Sequence, residues 1–237
     1  MNAQQLSNRL MRVAHHVPAG AVVADIGSDH AYLPCYLVLN GIAEKAIAGE
    51  VVQGPYDSAR NQVIQEQLTG QIEVRLASGL GAVQPQDGVT VVTIAGMGGP
   101  LIRTILEQGK ERLAGVERLV LQPNVHARSI REWAVENGWS IVNEEILKEN
   151  EKIYEILILE QTDKTKELSP EELLMGPVLM KEFSAVFQEK WTKECAQWKK
   201  IISSMESAEE TPELAEKKQE LSGKVKLVEE VLKNENS

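Results

Sequence analysis

The chain has 237 residues, 43% of them apolar and 25% charged, the make-up of a globular protein of one or two domains. Its net charge of −10 argues against broad nucleic-acid binding, which rests on neutralising phosphates. An aromatic content of 4% argues against a bed of stacked rings for long single strands.

Residues 4–17 read as an amphipathic helix, with Leu6, Leu10, Val13 and Val17 on one stripe and Arg9, Arg12 and His16 on a neighbouring basic one. Pro18-Ala19-Gly20 ends it. Strand-like runs follow at 22–26, 46–51, 72–76, 89–95 and 118–122, separated by helical stretches at 32–40, 55–67, 100–113 and 129–137. Such β-α alternation implies a parallel sheet covered by helices on both faces. Two last runs, 140–146 and 153–160, have only a polar link between them and should form an antiparallel hairpin at one end of the sheet. The expected class is α/β: a Rossmann-like, seven-stranded, mostly parallel sheet with one antiparallel strand.

Composition changes after Gln161. Residues 162–167 are polar, and Ser169-Pro170-Glu171-Glu172 looks like a capped helix start. Residues 178–206 place Phe183, Phe187, Trp191, Cys195, Trp198, Ile202 and Met205 at helical spacing. Thr211-Pro212-Glu213 opens a second helix bearing Leu214, Leu221, Val225, Val228 and Leu232. These heptad-like helices suggest a coiled-coil hairpin, a free-standing arm or a dimerising element, and the pattern does not separate them. The expected domains are 1–162 and 163–237.

No apolar run reaches the roughly 18 residues of a membrane span. The start, Met1-Asn2-Ala3-Gln4-Gln5, lacks a basic segment followed by an apolar one. The expected location is the cytoplasm, without membrane contact. Cys35 and Cys195 share no ligand spacing, so reduced structural thiols and no metal are expected.

The most informative segment is 22–34. An apolar run drops into Gly27-Ser28-Asp29-His30-Ala31 before a helical pattern begins, the arrangement that builds a ligand crevice at a strand's carboxyl end. Asp29 and Ala31 stand where further glycines of a nucleotide loop would fall. Glu50 ends the second strand, 23 residues beyond Gly27, where an acidic side chain accepts hydrogen bonds from ribose hydroxyls. Asp29 would repel a pyrophosphate, whereas S-adenosylmethionine carries an ammonium, a sulfonium and one carboxylate. Backbone N–H groups near Gly27 and Ser28 are expected to receive that carboxylate. Electrostatics therefore favours S-adenosylmethionine over a nicotinamide dinucleotide.

Ala24-Asp25-Ile26-Gly27-Ser28-Asp29-His30-Ala31-Tyr32-Leu33-Pro34, Ala48-Gly49-Glu50-Val51, Ile94-Ala95-Gly96-Met97-Gly98-Gly99 and Leu121-Gln122-Pro123-Asn124, in that order, resemble the bacterial tRNA (adenine-22-N1)-methyltransferase family. The likeness spans 1–160 and extends to Gly176-Pro177 and the tryptophan-bearing helices. It implies methyl transfer from S-adenosylmethionine to N1 of an adenine in the tRNA D-arm region. It further implies that Gly27, Ser28, Asp29 and His30 line the methionine end of the cofactor, that Glu50 holds the ribose, and that Ser78 and Gly79 border the adenine. The family's Gly-Asp-Gly is Ala77-Ser78-Gly79 here. Ser78 is the weaker acceptor, a loss of one hydrogen bond of about 0.5–1.5 kcal/mol.

Ala95 and Gly96 complete the expected cofactor set. Met97 and Gly98 follow the fourth strand where the target base meets the methyl group, and the amides of Gln122 and Asn124 suit an adenine edge. Tyr32 is a further crevice candidate, and Asp29 is the candidate catalytic group. Adenine N1 already bears a lone pair, so alignment supplies most of the acceleration, once the base has left its stack. Arg9, Arg12 and His16, with Arg103, Arg128 and Arg131, form the expected tRNA patch. The C-terminal region, with 12 lysines against 16 acidic residues, does not suit a broad RNA-binding surface, and its coiled coil offers a place for an oligomeric partner. A nicotinamide oxidoreductase, a methyltransferase for another substrate and a non-catalytic binding module of the same fold are the competing readings.

Overall fold

The computed structural model describes residues 2–162, 167–206 and 211–234. The expected domain boundary at 162/163 and the polar link before Glu167 run into 163–166, and the link between the last two helices into 207–210. Both segments lie outside the described residues. The chain divides into two compact units, Met1–Lys166 and Glu167–Ser237.

In the first unit α1 (Asn8–His15) is shorter than its apolar stripe suggests. Asn2 and Gln5 pair backbone to backbone, and Ser7 Oγ then accepts from Leu10 N–H to start the helix. The elements β1 (Ala21–Ile26), α2 (Tyr32–Leu39), β2 (Ala43–Glu50), α3 (Gln53–Gln65), β3 (Ile72–Leu76), β4 (Val91–Gly98), α4 (Gly99–Gln108), β5 (Arg118–Val125) and α5 (Arg128–Glu136) follow in the expected order, with only short 3-10 turns in place of a helix between β3 and β4. β6 (Trp139–Glu149) and β7 (Lys152–Gln161) close the unit through a tight turn in which Asn150 and Glu151 both have positive φ, as hairpin turns require. The expected helix at 100–113 stops at Gln108, and a short 3-10 turn, Lys110–Leu113, follows. Gly109 carries the chain so close to Leu80 that a Cβ there would overlap it.

The strand order is β3-β2-β1-β4-β5-β7-β6. Neighbours are parallel except that β7 runs against both β5 and β6. Successive strand residues feed opposite cores, because side chains alternate across a sheet. Val23, Val91 and Val120 pack with Val13, Leu33, Leu37 and Val63 on one face. Ala24, Val92 and Leu121 pack with Ile102, Leu106, Ile130 and Trp133 on the other. At the β7 side of the sheet the buried Arg131 pairs with Glu144 Oε1 at 2.7 Å and Glu155 Oε2 at 2.5 Å. Burial at that depth removes Arg131 from the expected tRNA patch.

The second unit holds α6 (Pro170–Met175), α7 (Pro177–Glu182), α8 (Ala185–Met205) and α9 (Pro212–Asn234). Ser169 and Glu172 form a reciprocal capping box on α6. The continuous helix expected over 178–206 is broken: Phe183 takes φ +45°, and Ser184 Oγ accepts from Phe187 N–H to start α8 anew. α8 buries Phe187, Trp191 and Cys195, and α9 buries Leu221 and Val228. Lys199 pairs with Glu229 at 2.6 Å and Glu206 with Lys218 at 3.6 Å, a register that runs the two helices antiparallel. Among the described residues no helix is long and apolar enough to cross a membrane.

Candidate active site

A crevice of about 450 Å³ opens at the carboxyl ends of β1, β2 and β4, and Arg9, Asp29, Glu50, Gly96, Asn124 and Tyr154 all line it. It lies where the sheet order turns from β1 to β4, the switch point at which α/β sheets leave room for ligands. Gly27, Ser28, Tyr32, Ala95 and Met97 also line it. His30 stands beside it, stacked on Tyr32 with ring centroids 5.3 Å apart. Ser78, Gly79 and Gly98 lie outside its walls. Ser78 and Gly79 open a 3-10 turn, Gly79–Ala82, and Gly98 caps α4.

The first loop is built by commitments to β2. Gly27 has φ +71°, and a Cβ on it would overlap Met97 Cε. Gly27 N–H and Ser28 N–H both donate to Gly49 O, at 2.9 and 3.2 Å, and Asp29 N–H donates to Glu50 Oε1. The N–H groups of Gly27 and Ser28 are therefore not available to a cofactor carboxylate, contrary to the expectation. The same commitments deprive a pyrophosphate of its usual nest. Asp29, His30 and Ala31 then take three successive left-handed conformations, φ +37°, +63° and +54°, a costly run for residues with a Cβ. It turns the Asp29 carboxylate outward, 75% exposed and 3.5 Å from His30 Nε2.

Beneath the loop lies Asp25, which the sequence reading passed over although a carboxylate within an apolar strand was its visible signal. It accepts from Ser28 Oγ and Thr93 Oγ1, both at 2.6 Å. Burial pushes its carboxyl up to about 6, while those two hydrogen bonds pull the other way and Glu50 adds to the rise. The Ser28 hydroxyl thus supports the loop from below. Glu50 is 6% exposed. Burial raises its carboxyl too, opposed chiefly by the N–H of Asp29.

The opposite wall comes from the ends of β4 and β5. The strands run on to Gly98 and Val125, so Gly96, Met97, Gln122 and Asn124 lie within the sheet and not after it. The pairing slips between Ala95 and Met97, where Gly96 takes φ +81°, a β-bulge that aims this segment at the crevice. Gly96 N–H donates to Gln122 Oε1 at 3.0 Å, and Asn124 Nδ2 donates to Gly96 O at 2.7 Å. Gln122 is fully buried and its amide donates to Pro123 O at 2.8 Å. It braces the wall, so the expectation that its amide reads an adenine edge is not met. A Cβ on Gly99 would overlap the His126 carbonyl, which brings the chain after β5 directly against α4.

The basic stripe of α1 is split. Arg12 bonds Glu145 through both Nε and Nη2, at 2.6 and 2.5 Å, and His16 Nε2 meets the same carboxylate at 2.8 Å. Burial pushes the Glu145 carboxyl up, but His16 and Arg12 together bring it down to about 2. Glu149 accepts from Asn8 N–H at the start of the helix. Arg103 and Arg128 pair with Glu132. These pairings tie α1 and α5 to the fold, and only Arg9 enters the crevice.

A family model described as tRNA (adenine(22)-N(1))-methyltransferase matches residues 23–230. The chain belongs to that family. A Bacillus subtilis tRNA (adenine(22)-N(1))-methyltransferase is 46% identical over 98% of this chain and 99% of its own length. A Streptococcus pneumoniae relative solved in complex with S-adenosyl-L-methionine superposes with a TM-score of 0.87 at 46% identity, covering 96% of this chain and all of that one. An M. capricolum relative solved with S-adenosyl-homocysteine gives 0.84 at 27% identity, over 95% and 96% of the two chains.

The donor set of the crevice fits such a cofactor. Glu50 offers a buried, oriented carboxylate for hydroxyl groups, Asp29 supplies negative charge at the rim, and Gly27, with no Cβ, lets the loop pack against Met97 on the crevice wall. Among the described residues no group of histidine, cysteine and carboxylate side chains has the arrangement of a metal site.

Proposed function

We propose that this chain transfers a methyl group from S-adenosylmethionine to N1 of an adenine in tRNA, at position 22. The observation that carries this is the family match over 23–230 on a chain whose crevice combines Glu50, Asp29 and a side-chain-free Gly27. In this reading Glu50 holds the ribose, Asp29 balances the cofactor's positive groups, and Gly96, Met97 and Asn124 face the target base. The cofactor supplies an electrophilic methyl. The adenine N1 lone pair takes it as the carbon–sulfur pair returns to sulfur, and the positive charge passes to the adenine ring. No side chain need remove a proton, so the protein's task is alignment and exclusion of water. Residues 1–162 act as the catalytic domain and 163–237 as a helical coiled-coil domain that suits pairing with another copy. The setting is the cytoplasm, where tRNA is substrate.

Labelled methyl transfer to bulk tRNA from a strain lacking the modification tests the reading. The expected result is label at one adenine of the D-arm region, mapped by the reverse-transcription stop that an N1-methyl group causes. Label elsewhere, or none with the cofactor bound, would overturn it.

A further inference from the structure

We infer that Arg9, Gln122 and Tyr154 form one device that presents a guanidinium to the target adenine, an inference that rests on the tRNA reading above. Arg9 Nη1 donates to the fully buried Gln122 Oε1, which the Gly96 N–H also engages. Gln122 cannot turn away, because its own amide is bonded to Pro123 O. The Arg9 guanidinium carbon lies 5.3 Å from the centroid of the Tyr154 ring, within cation–π range. The guanidinium is thus held by an oxygen and an aromatic face.

Tyr154 reaches this place because β7 is reversed. Its pairing with β5 ends at Leu121 with Leu157, and Tyr154 lies three residues further toward the crevice, level with Asn124. On a parallel strand the same early position would fall at the far edge of the sheet. Glu149, at the end of the same hairpin, accepts from Asn8 N–H and so sets the start of the helix that carries Arg9.

Among the described residues the guanidinium donates only to Gln122, although it has five N–H donors. Burial lowers its basicity, against the opposing influence of Tyr154 and Glu149. A partly buried cation with unused donors, on the wall that carries Gly96 and Asn124, suits a planar ring with nitrogen acceptors. Guanidinium planes stack on unstacked bases and bond their edges. Adenine keeps acceptors at N3 and N7 while N1 stays open to the methyl. The contact also discriminates product from substrate. A neutral adenine stacks well on a cation, whereas the methylated ring is itself cationic and is repelled. Gln122 and Tyr154 are positioning residues, and Arg9 is the one that touches RNA.

Steady-state methylation by the full chain, with calorimetry for S-adenosylmethionine and binding of methylated and unmethylated tRNA, tests this. Arg9→Met and Tyr154→Leu should each raise KM for tRNA by about fivefold to twentyfold, with a smaller change in kcat. Tyr154→Phe keeps the aromatic face and should stay within about twofold of the unaltered chain. Cofactor affinity should be unchanged throughout. The unaltered chain should bind methylated tRNA more weakly than unmethylated, and Arg9→Met should narrow that gap. KM values within about twofold for both disruptive variants, an equal loss of cofactor affinity, or a Phe variant as impaired as Leu would overturn the device. In those cases the unaltered chain still methylates tRNA, whereas its failure to do so overturns the proposed function and the device together.

Discussion

Gly27 and Asp25 sit two residues apart and fail in different ways when changed. Gly27→Ala places a Cβ in a left-handed backbone, a cost of about 1–2 kcal/mol, and drives it into Met97 Cε. The methionine tip would have to move, and Met97 is part of the crevice wall. Calorimetry should therefore show S-adenosylmethionine binding weakened by about tenfold or more, beyond any loss of thermal stability. Asp25 has a folded carboxyl near 6, against an ordinary value of about 4. The folded protein holds the extra proton between those values, so this contribution is full below about pH 4 and lost as pH rises through 6. Asp25→Asn should flatten that decline in urea midpoints taken across the interval. Gly27 and Glu50 were legible because glycine and a strand-end carboxylate have few alternative uses there. The partners of Ser28 were not, since Thr93 lies far along the chain and only sheet register brings it to Asp25.

Elements meet through a few long-range ion pairs that no periodicity reveals. The stripe of Leu6, Leu10, Val13 and Val17 does face the core, within α1 and just beyond its ends, but Arg12 and His16 looked like a free basic face. β6 answers them with Glu145, more than a hundred residues away. Glu145→Gln should cost about 1 kcal/mol at neutral pH, discounted because Arg12 is 42% exposed. Since the folded Glu145 carboxyl is depressed to about 2, the contribution is present above about pH 4.3 and lost as pH falls toward 2. Acid titration of stability in the unaltered chain and the Gln variant checks this, and the two curves should converge at low pH. Arg131→Met is the severe counterpart. It leaves Glu144 and Glu155 facing each other within the core, and chemical denaturation should show a loss of about 3–5 kcal/mol. Buried arginine has no sequence signature apart from sitting among apolar helix positions, as Arg131 does between Ile130 and Trp133.

At the scale of the whole chain, the alternation of strands and helices announced the sheet, and the missing crossover between β6 and β7 announced the reversed strand. Tyr154 was still overlooked, because its importance follows from where the reversed strand begins and not from any motif around it. Among the described residues, all that line the crevice belong to the first unit, Met1–Lys166. A chain ending at residue 166 should therefore fold with a single cooperative melt and bind S-adenosylmethionine within about threefold of the full chain. Calorimetry on the shortened chain decides this, and a large loss of affinity would show that the helices contribute to the cofactor site.

The left-handed run from Asp29 to Ala31 carries one more consequence. Three such residues in succession have little propensity of their own for that shape, and the bond from Asp29 N–H to Glu50 supplies a partner that β2 must deliver. The shape of the pocket's entrance therefore depends on β2 being in place beside it. Damage to the packing of β2, well away from any ligand, would surface as an enzyme that is folded yet cannot load.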